Sequence, residues 1–484
     1  MLLSSVLTWI ISALLLSGCG EIETPGSPEP DATRSRYLLL DDRVVEETSN
    51  ARLAVGTVKK HPANPLFGED KPWEPRFDNL YPNVLYDEEL QLYRCWYNPF
   101  IVDQLTSATP REKRDEVEYH SSPREFGLAY ATSEDGLTWT KPELGLVEFE
   151  GSTANNLLLR GAHGVGILKE PHDPDPGRRY KMLYGGNWVE TWESGPAVRF
   201  SEDGLRWGEE IPIPEIEAHA DTHNNALWVP ELNKYVGITR IHRGEPFPRH
   251  PVGQRAVGRT ESADFVKWSK ADEILRGDRE NQTYAMPMFR HANVYLGLLM
   301  IIRLSKERVH CELAWSPDTI RWERIDPDTP FIANSETEGD YDWGCVYAAL
   351  SPVVTEDEIR VYYAGSNGHH RYWRDGFLCL ATLRHDGWAG YQPVDPEQTA
   401  TVITKPVDWQ GKLQLSADAA GGSLKVSLLD SAGQVVTQSE AVTGDVTDES
   451  VIFSSNALED LAGQPVRLKF ELDRAKLYSF VLTE

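Results

Sequence analysis

The stretch Ser133-Glu134-Asp135-Gly136-Leu137-Thr138-Trp139 is a tight polar turn closing on a tryptophan, and the chain repeats it. It returns as Ser201-Glu202-Asp203-Gly204-Leu205-Arg206-Trp207 and as Ser262-Ala263-Asp264-Phe265-Val266-Lys267-Trp268. A fourth copy is Ser316-Pro317-Asp318-Thr319-Ile320-Arg321-Trp322, and a shortened fifth reads His385-Asp386-Gly387-Trp388. Intervals of roughly 55 to 70 residues are too long for the helix pair of a solenoid and suit a four-stranded unit. Five such units predict a five-bladed β-propeller whose site lies on the central axis.

Ahead of each turn stands a hairpin pattern. Asn83-Val84-Leu85-Tyr86 turns through Asp87-Glu88-Glu89 into Tyr93-Arg94-Cys95-Trp96-Tyr97. The second unit pairs Gly166-Ile167-Leu168-Lys169 with Tyr180-Lys181-Met182-Leu183-Tyr184, and three further units follow suit. β-Branched and aromatic residues alternate, with turn residues between, while helical periodicity is nearly absent. From about Pro393 the repeats stop. Short alternating runs such as Leu424-Lys425-Val426-Ser427-Leu428-Leu429 and Val466-Arg467-Leu468-Lys469-Phe470 then predict a small antiparallel β-sandwich. The expected organisation is a leader over 1–19, a linker over 20–36, the propeller over 37–392 and the sandwich over 393–484.

Bulk composition narrows the partners. The 484 residues exceed what one compact core usually holds, and the formal net charge is −27. Nucleic acid is not an expected partner, because phosphate binding needs a basic footprint. The apolar run Val6 to Leu16 leads into Leu16-Ser17-Gly18-Cys19, which resembles the lipobox of bacterial lipoproteins, although no Lys or Arg stands near Met1. That resemblance implies cleavage before Cys19, lipid attachment there, and a bacterial cell-envelope location. The Pro-, Glu- and Ser-rich Glu21 to Arg36 reads as a tether. Cys95, Cys311, Cys345 and Cys379 lack metal-site spacing and read as buried thiols.

A five-bladed propeller followed by a β-sandwich resembles the invertase and inulinase type of glycoside hydrolase, and the propeller alone resembles the arabinanase and xylosidase group (families 32 and 43). His61-Pro62-Ala63-Asn64-Pro65-Leu66 and Asp78-Asn79-Leu80-Tyr81-Pro82-Asn83 have the flavour of those openings. The resemblance implies a carbohydrate substrate. It also implies a first-blade carboxylate as nucleophile or base and a third-blade carboxylic acid, with a second-blade acidic residue tuning the acid. Such chemistry needs one carboxyl ionised and another protonated.

Residues just ahead of each first strand should converge on one mouth of the channel. Asp78 then stands as nucleophile or base, and Asp221 or Glu280 as acid. Asn79, His163, His223, Asn224, Asp342, Trp343 and His369 stand as substrate-binding candidates. Asp340 lies beside Asp342, and of the adjacent His369 and His370 at most one lines a given pocket. Trp188 and Trp192 are further stacking candidates. In the second blade Lys169-Glu170-Pro171 looks like the Arg-Asp-Pro of invertases, but alignment puts Glu170 at the far end of its strand and His163 nearest the mouth. No cofactor or metal site is expected; an axial calcium would fit such a channel without being marked by any motif. The alternatives are a non-catalytic carbohydrate-binding lipoprotein and a sialidase-like hydrolase. The latter needs arginines gathered on the axis, and none precedes most of the first strands.

Overall fold

The computed structural model describes residues 36–483, other than 121, 189–192, 246–252, 454–457, 459, 460 and 462. The chain is all-β; among the described residues Gln104–Ala108 is the one α-helix. Three four-stranded antiparallel sheets are followed by two further antiparallel units, which a parallel pairing of Val309 with Cys345 joins into one sheet. The first comprises Arg76–Asp87, Leu92–Asp103, Arg124–Ser133 and Leu157–Arg160. The second comprises His163–Lys169, Tyr180–Trp188, Glu193–Ser201 and Ile211–Pro212. The third comprises Asn225–Val229, Lys234–Arg243, Gln254–Ser262 and Asp272–Leu275. In the fourth a broken first strand (Asn281–Ala285, Met288–His291) precedes Val294–Arg303, Arg308–Ser316 and Glu323–Arg324. The fifth has Cys345–Ala348 with Val353–Val354, then Ile359–Ser366 and Gly376–Leu383. Its outer edge is covered by Lys59–Lys60 and Phe67–Gly68 from the start of the chain.

The repeated turns join third strands to fourth, and four of them share one hydrogen-bond scheme. Asp135 accepts the N–H groups of Leu137 and Thr138, both at 2.7 Å. Asp203, Asp264 and Asp318 do the same for the residues two and three positions on, at 2.8–2.9 Å. A short acceptor that bonds its own backbone is what an Asx turn requires. The next residue is left-handed in every copy. Glycine takes it freely at 136 and 204 (φ 74° in each), whereas Phe265 and Thr319 are held at 63° and 65°.

These turns are also docking points between units. Arg94 and Trp96 of the first unit donate to the carbonyls of Asp203 and Gly204 in the second, at 2.6 and 2.7 Å. Arg178 of the second donates to the Asp264 carbonyl, and Arg259 of the third to Thr319 at 3.1 Å. Arg360 and Tyr362 of the fifth donate to the carbonyls of Asp135 and Gly136 at 2.7 and 2.9 Å. The contacts thus run through the units and return to the first. The fifth turn departs from the pattern. Asp386 pairs instead with Arg36, His291 and Ser479, tying the repeats to the C-terminal strands.

Eight strands between residues 389 and 483 join three from the start of the chain in an eleven-stranded sheet around its own core, including Trp409, Phe470 and Phe480. Here the domain limits differ from the sequence reading. Arg36–Leu38, Val45–Ser49 and Ala51–Val55 belong to this sheet rather than to the repeats. Ala51–Val55 covers Ala389–Pro393 and so satisfies backbone groups at an edge that would otherwise be open. The four cysteines Cys95, Cys311, Cys345 and Cys379 are free and buried.

Candidate active site

Antiparallel units present the starts of their first and third strands, and the ends of their second, at one face. There the units surround a cavity of about 470 Å³ containing Asp78, His163 and Asp221. The backbone carrying both carboxylates is strained. Asp78, Leu80 and Tyr81 have φ of 54°, 57° and 43°, and Ala220, just before Asp221, has 55°. Non-glycine residues held there cost on the order of 1–3 kcal/mol each. In the first strand the strain accompanies two breaks in register, between Arg76 and Leu80 and between Leu80 and Asn83. These bulges aim Asp78 at the cavity.

Each carboxylate is clamped by an arginine. Arg374 donates to Asp78 Oδ1 at 2.6 Å, and Arg76 Nε lies 3.5 Å from the same oxygen. Burial raises the Asp78 pKa, but Arg374, Arg76 and His370 outweigh it and hold it at about 2. Arg240 pairs with Asp221 Oδ2 at 3.1 Å, and His163 Nε2 meets Oδ1 at 3.0 Å. The Asp221 side chain is 63% exposed to the cavity. Desolvation by the surrounding cavity pushes its carboxyl up, but Arg240 and then His163 outweigh it and hold the group well below the ordinary carboxylate range. Both groups are therefore ionised at neutral pH. The expectation of a protonated Asp221 is corrected by this geometry, because Arg240 and the His163 contact both favour the charged carboxylate.

Beneath lies an aromatic floor. Tyr81 packs between His163 and His223, with ring centroids 5.6 and 5.2 Å away, and Tyr284 lies 5.0 Å from His370. A strap from 104 to 120 borders the opening. It is pinned where Trp373 donates to the Val117 carbonyl at 2.7 Å, and where Tyr119 lies under the Arg76 guanidinium at 4.4 Å.

The other candidates separate clearly. Asn79 is buried behind Asp78, donating to Tyr81 and Tyr284 and accepting from Arg374 at 3.0 Å. His223 is fully buried below the floor, where desolvation lowers its pKa to about 3. Asn224 is also buried, and bridges units by donating to the Gly164 carbonyl at 2.9 Å. Glu280 lies outside the cavity, where its carboxylate caps the Ser305 turn at 2.9 Å, so the geometry removes it as an acid. Asp342 is sealed from the cavity, pairing with Lys60 at 2.6 Å and Tyr363 at 2.9 Å. Asp340 accepts from Ser335 on the surface.

Trp343 meets His369 edge to face, with ring centroids 4.9 Å apart and outside the cavity lining, and His369 meets the Lys306 carbonyl. Of the histidine pair, His370 is the one that lines the cavity. Glu170 bonds Tyr235 at the far end of its strand. Cys19, Trp192 and the side chain of Trp188 lie outside the described residues. Sequence reasoning missed Arg76, Arg124, Tyr119, Arg255, Tyr284 and Arg371, all of which line the cavity.

One titrating group supports the site from behind. Glu69 accepts from the N–H groups of Phe77 at 2.7 Å and Gly376 at 3.0 Å, next to the residues that carry Asp78 and Asp375. Burial, only partly offset by those N–H groups, pushes its pKa up to about 7. A carboxyl raised in the folded state contributes stability below its unfolded pKa, and that stability is lost as pH rises through the folded value. The melting temperature should therefore fall between about pH 4.5 and 7, a fall that Glu69→Gln should flatten; thermal melts across that range check it.

No family model matches the chain, and no curated protein matches it. Among solved structures that resemble it is one described as a glycoside hydrolase, at 13% identity and TM-score 0.47, covering 68% of this chain and 92% of the other. A Bacteroides ovatus glycosyl hydrolase gives 14% and 0.43, covering 68% and 94%. A third, at 15% and 0.44, covers 68% and 94%. It was reported with the GH130 family of mannoside phosphorylases, as containing glycoside hydrolases that target β-1,2 mannosidic linkages. At such scores these are likenesses of overall shape, and no residue role is carried across from them.

Proposed function

We propose that the chain is a glycoside hydrolase whose five units are the blades of a propeller, braced by a C-terminal β-sandwich. The observation that carries this reading is the pair of ionised carboxylates, on strained backbone, facing one cavity, with one of them in hydrogen-bond contact with His163. Asp78, held ionised by Arg374, acts as nucleophile at the anomeric carbon or as base toward a water. The Asp221–His163 pair, rather than either residue alone, supplies the proton to the departing oxygen. The lipobox-like Leu16 to Cys19 supports export, lipid attachment at Cys19 and a cell-envelope location.

Release of reducing ends from a broad oligosaccharide panel by the soluble protein tests the reading. His163→Gln should lower turnover by about 10²- to 10⁴-fold on natural sugars. It should act far less on aryl glycosides with a nitrophenolate leaving group, which departs without a proton. Equal losses on both substrate types would remove His163 from proton transfer. Sugar binding with no turnover anywhere on the panel would instead favour a binding lipoprotein.

A further inference from the structure

The cavity holds more positive charge than its two carboxylates require. Arg240 and Arg374 already pair with Asp221 and Asp78. Arg76, Arg124, Arg255 and Arg371 line the same space, and Asp78 and Asp221 are the only acidic side chains lining it among the described residues. The surplus is the reverse of the chain as a whole, whose formal net charge is −27.

Arg76 approaches Asp78 with Nε at 3.5 Å and still has capacity left over. Its side chain is 2% exposed, and it donates through Nη2 to the Tyr372 carbonyl at 3.1 Å. Its Nη1 has no hydrogen-bond acceptor among the described residues. A buried guanidinium N–H left without an acceptor is costly and calls for an explanation. Arg371, next in the chain to Tyr372, is exposed in the cavity wall and forms no ion pair or hydrogen bond among the described residues.

Neighbouring groups register the same field. Arg255 is pushed down to about 10 by burial and by Arg240. His242 is lowered to about 4 by burial, Arg240 and Arg255, and His370 is held well below its usual range by burial and Arg374. Neutral hydroxyl groups would accept hydrogen bonds here but leave that field unbalanced.

We propose that the sugar bound in this cavity carries an oxyanion, a carboxylate or a sulfate ester, held between Arg76 and Arg371. The inference rests on the carbohydrate reading of the site and names its substrate class. A free phosphate or sulfate ion offers the same chemistry from another source, so both sources enter the test.

Calorimetric titration of the intact protein with uronate oligosaccharides and their carboxyl-reduced forms, and with sulfated and desulfated pairs, reads the effect directly. In at least one pair the charged form should bind about tenfold or more tightly, with an advantage that shrinks in high salt and in Arg371→Gln. Charged and neutralised forms that bind alike, or a preference untouched by Arg371→Gln, would overturn the proposal. Inorganic phosphate that binds more tightly than every charged sugar would assign the arginines to a free ion and overturn it too. Charge-dependent binding without cleavage would keep this inference and remove the hydrolase reading; cleavage of neutral sugars with no charge preference would do the reverse.

Discussion

Asp78→Asn is expected to lower turnover by about 1,000-fold or more while leaving KM within roughly threefold. The substitution is isosteric, so the amide oxygen still accepts from Arg374, whose second acceptor Asn79 stays in place at 3.0 Å. The strained backbone at Asp78, Leu80 and Tyr81 is unchanged, and so are the floor and the wall of the cavity. What disappears is the negative charge, and an amide neither attacks an anomeric carbon nor takes a proton from water at neutral pH. A lost interaction of the reacting centre appears in kcat, whereas lost ground-state binding would appear in KM. Steady-state kinetics on any cleaved oligosaccharide decide the matter. A variant keeping more than about a tenth of wild-type turnover would move the chemistry away from Asp78.

The all-β class and its repeating units were legible because they rest on local chemistry that repeats. Asp135, Asp203, Asp264 and Asp318 each cap the same turn, so one short pattern marks four units, and the hairpins ahead of them are marked by alternation. Asp78, Asp221 and His163 were legible because they precede or begin first strands, and the cavity gathers all three. The arginines were hidden by the same rule. A search confined to first strands passes over Arg240 near the end of a second strand, Arg124 and Arg255 at the starts of third strands, and Arg371 and Arg374 in a connecting loop. Each of those positions reaches the mouth because antiparallel neighbours share their ends. Asp342 misled for the opposite reason: it precedes a first strand, yet Lys60 from the start of the chain claims its charge. A pairing between residues so distant in sequence leaves no local trace. Ala51–Val55 escaped the C-terminal sheet in the same way, since its partner strand begins at Ala389.

Arg374→Met should cost about 3–5 kcal/mol of stability, because it leaves a carboxylate inside the protein without its main partner. The Arg374 side chain is 1% exposed and contacts Asp78, Asn79, Tyr347 and Ser366, so solvent cannot replace what is lost. The pH dependence separates this from simple loss of packing. In the wild type the Asp78 pKa is depressed to about 2, so its pairing stabilises the fold above the unfolded carboxyl value and the benefit is lost as pH falls toward 2. A fall from the ordinary carboxyl value of 3.8 to about 2 corresponds to roughly 2–3 kcal/mol at neutral pH. In Arg374→Met the Asp78 carboxyl is left with burial, which raises its pKa, against Arg76 and His370. The variant's deficit should therefore shrink on acidification, and the acid limb of its activity should move to higher pH. Arg374→Lys keeps a charge but lacks the fork that reaches both Asp78 and Asn79, so it should fall between the two. Urea unfolding at pH 7 and pH 4 reads the result. A deficit equal at both values would mean that Arg374 acts through packing, and that the low pKa of Asp78 comes from elsewhere in the cavity.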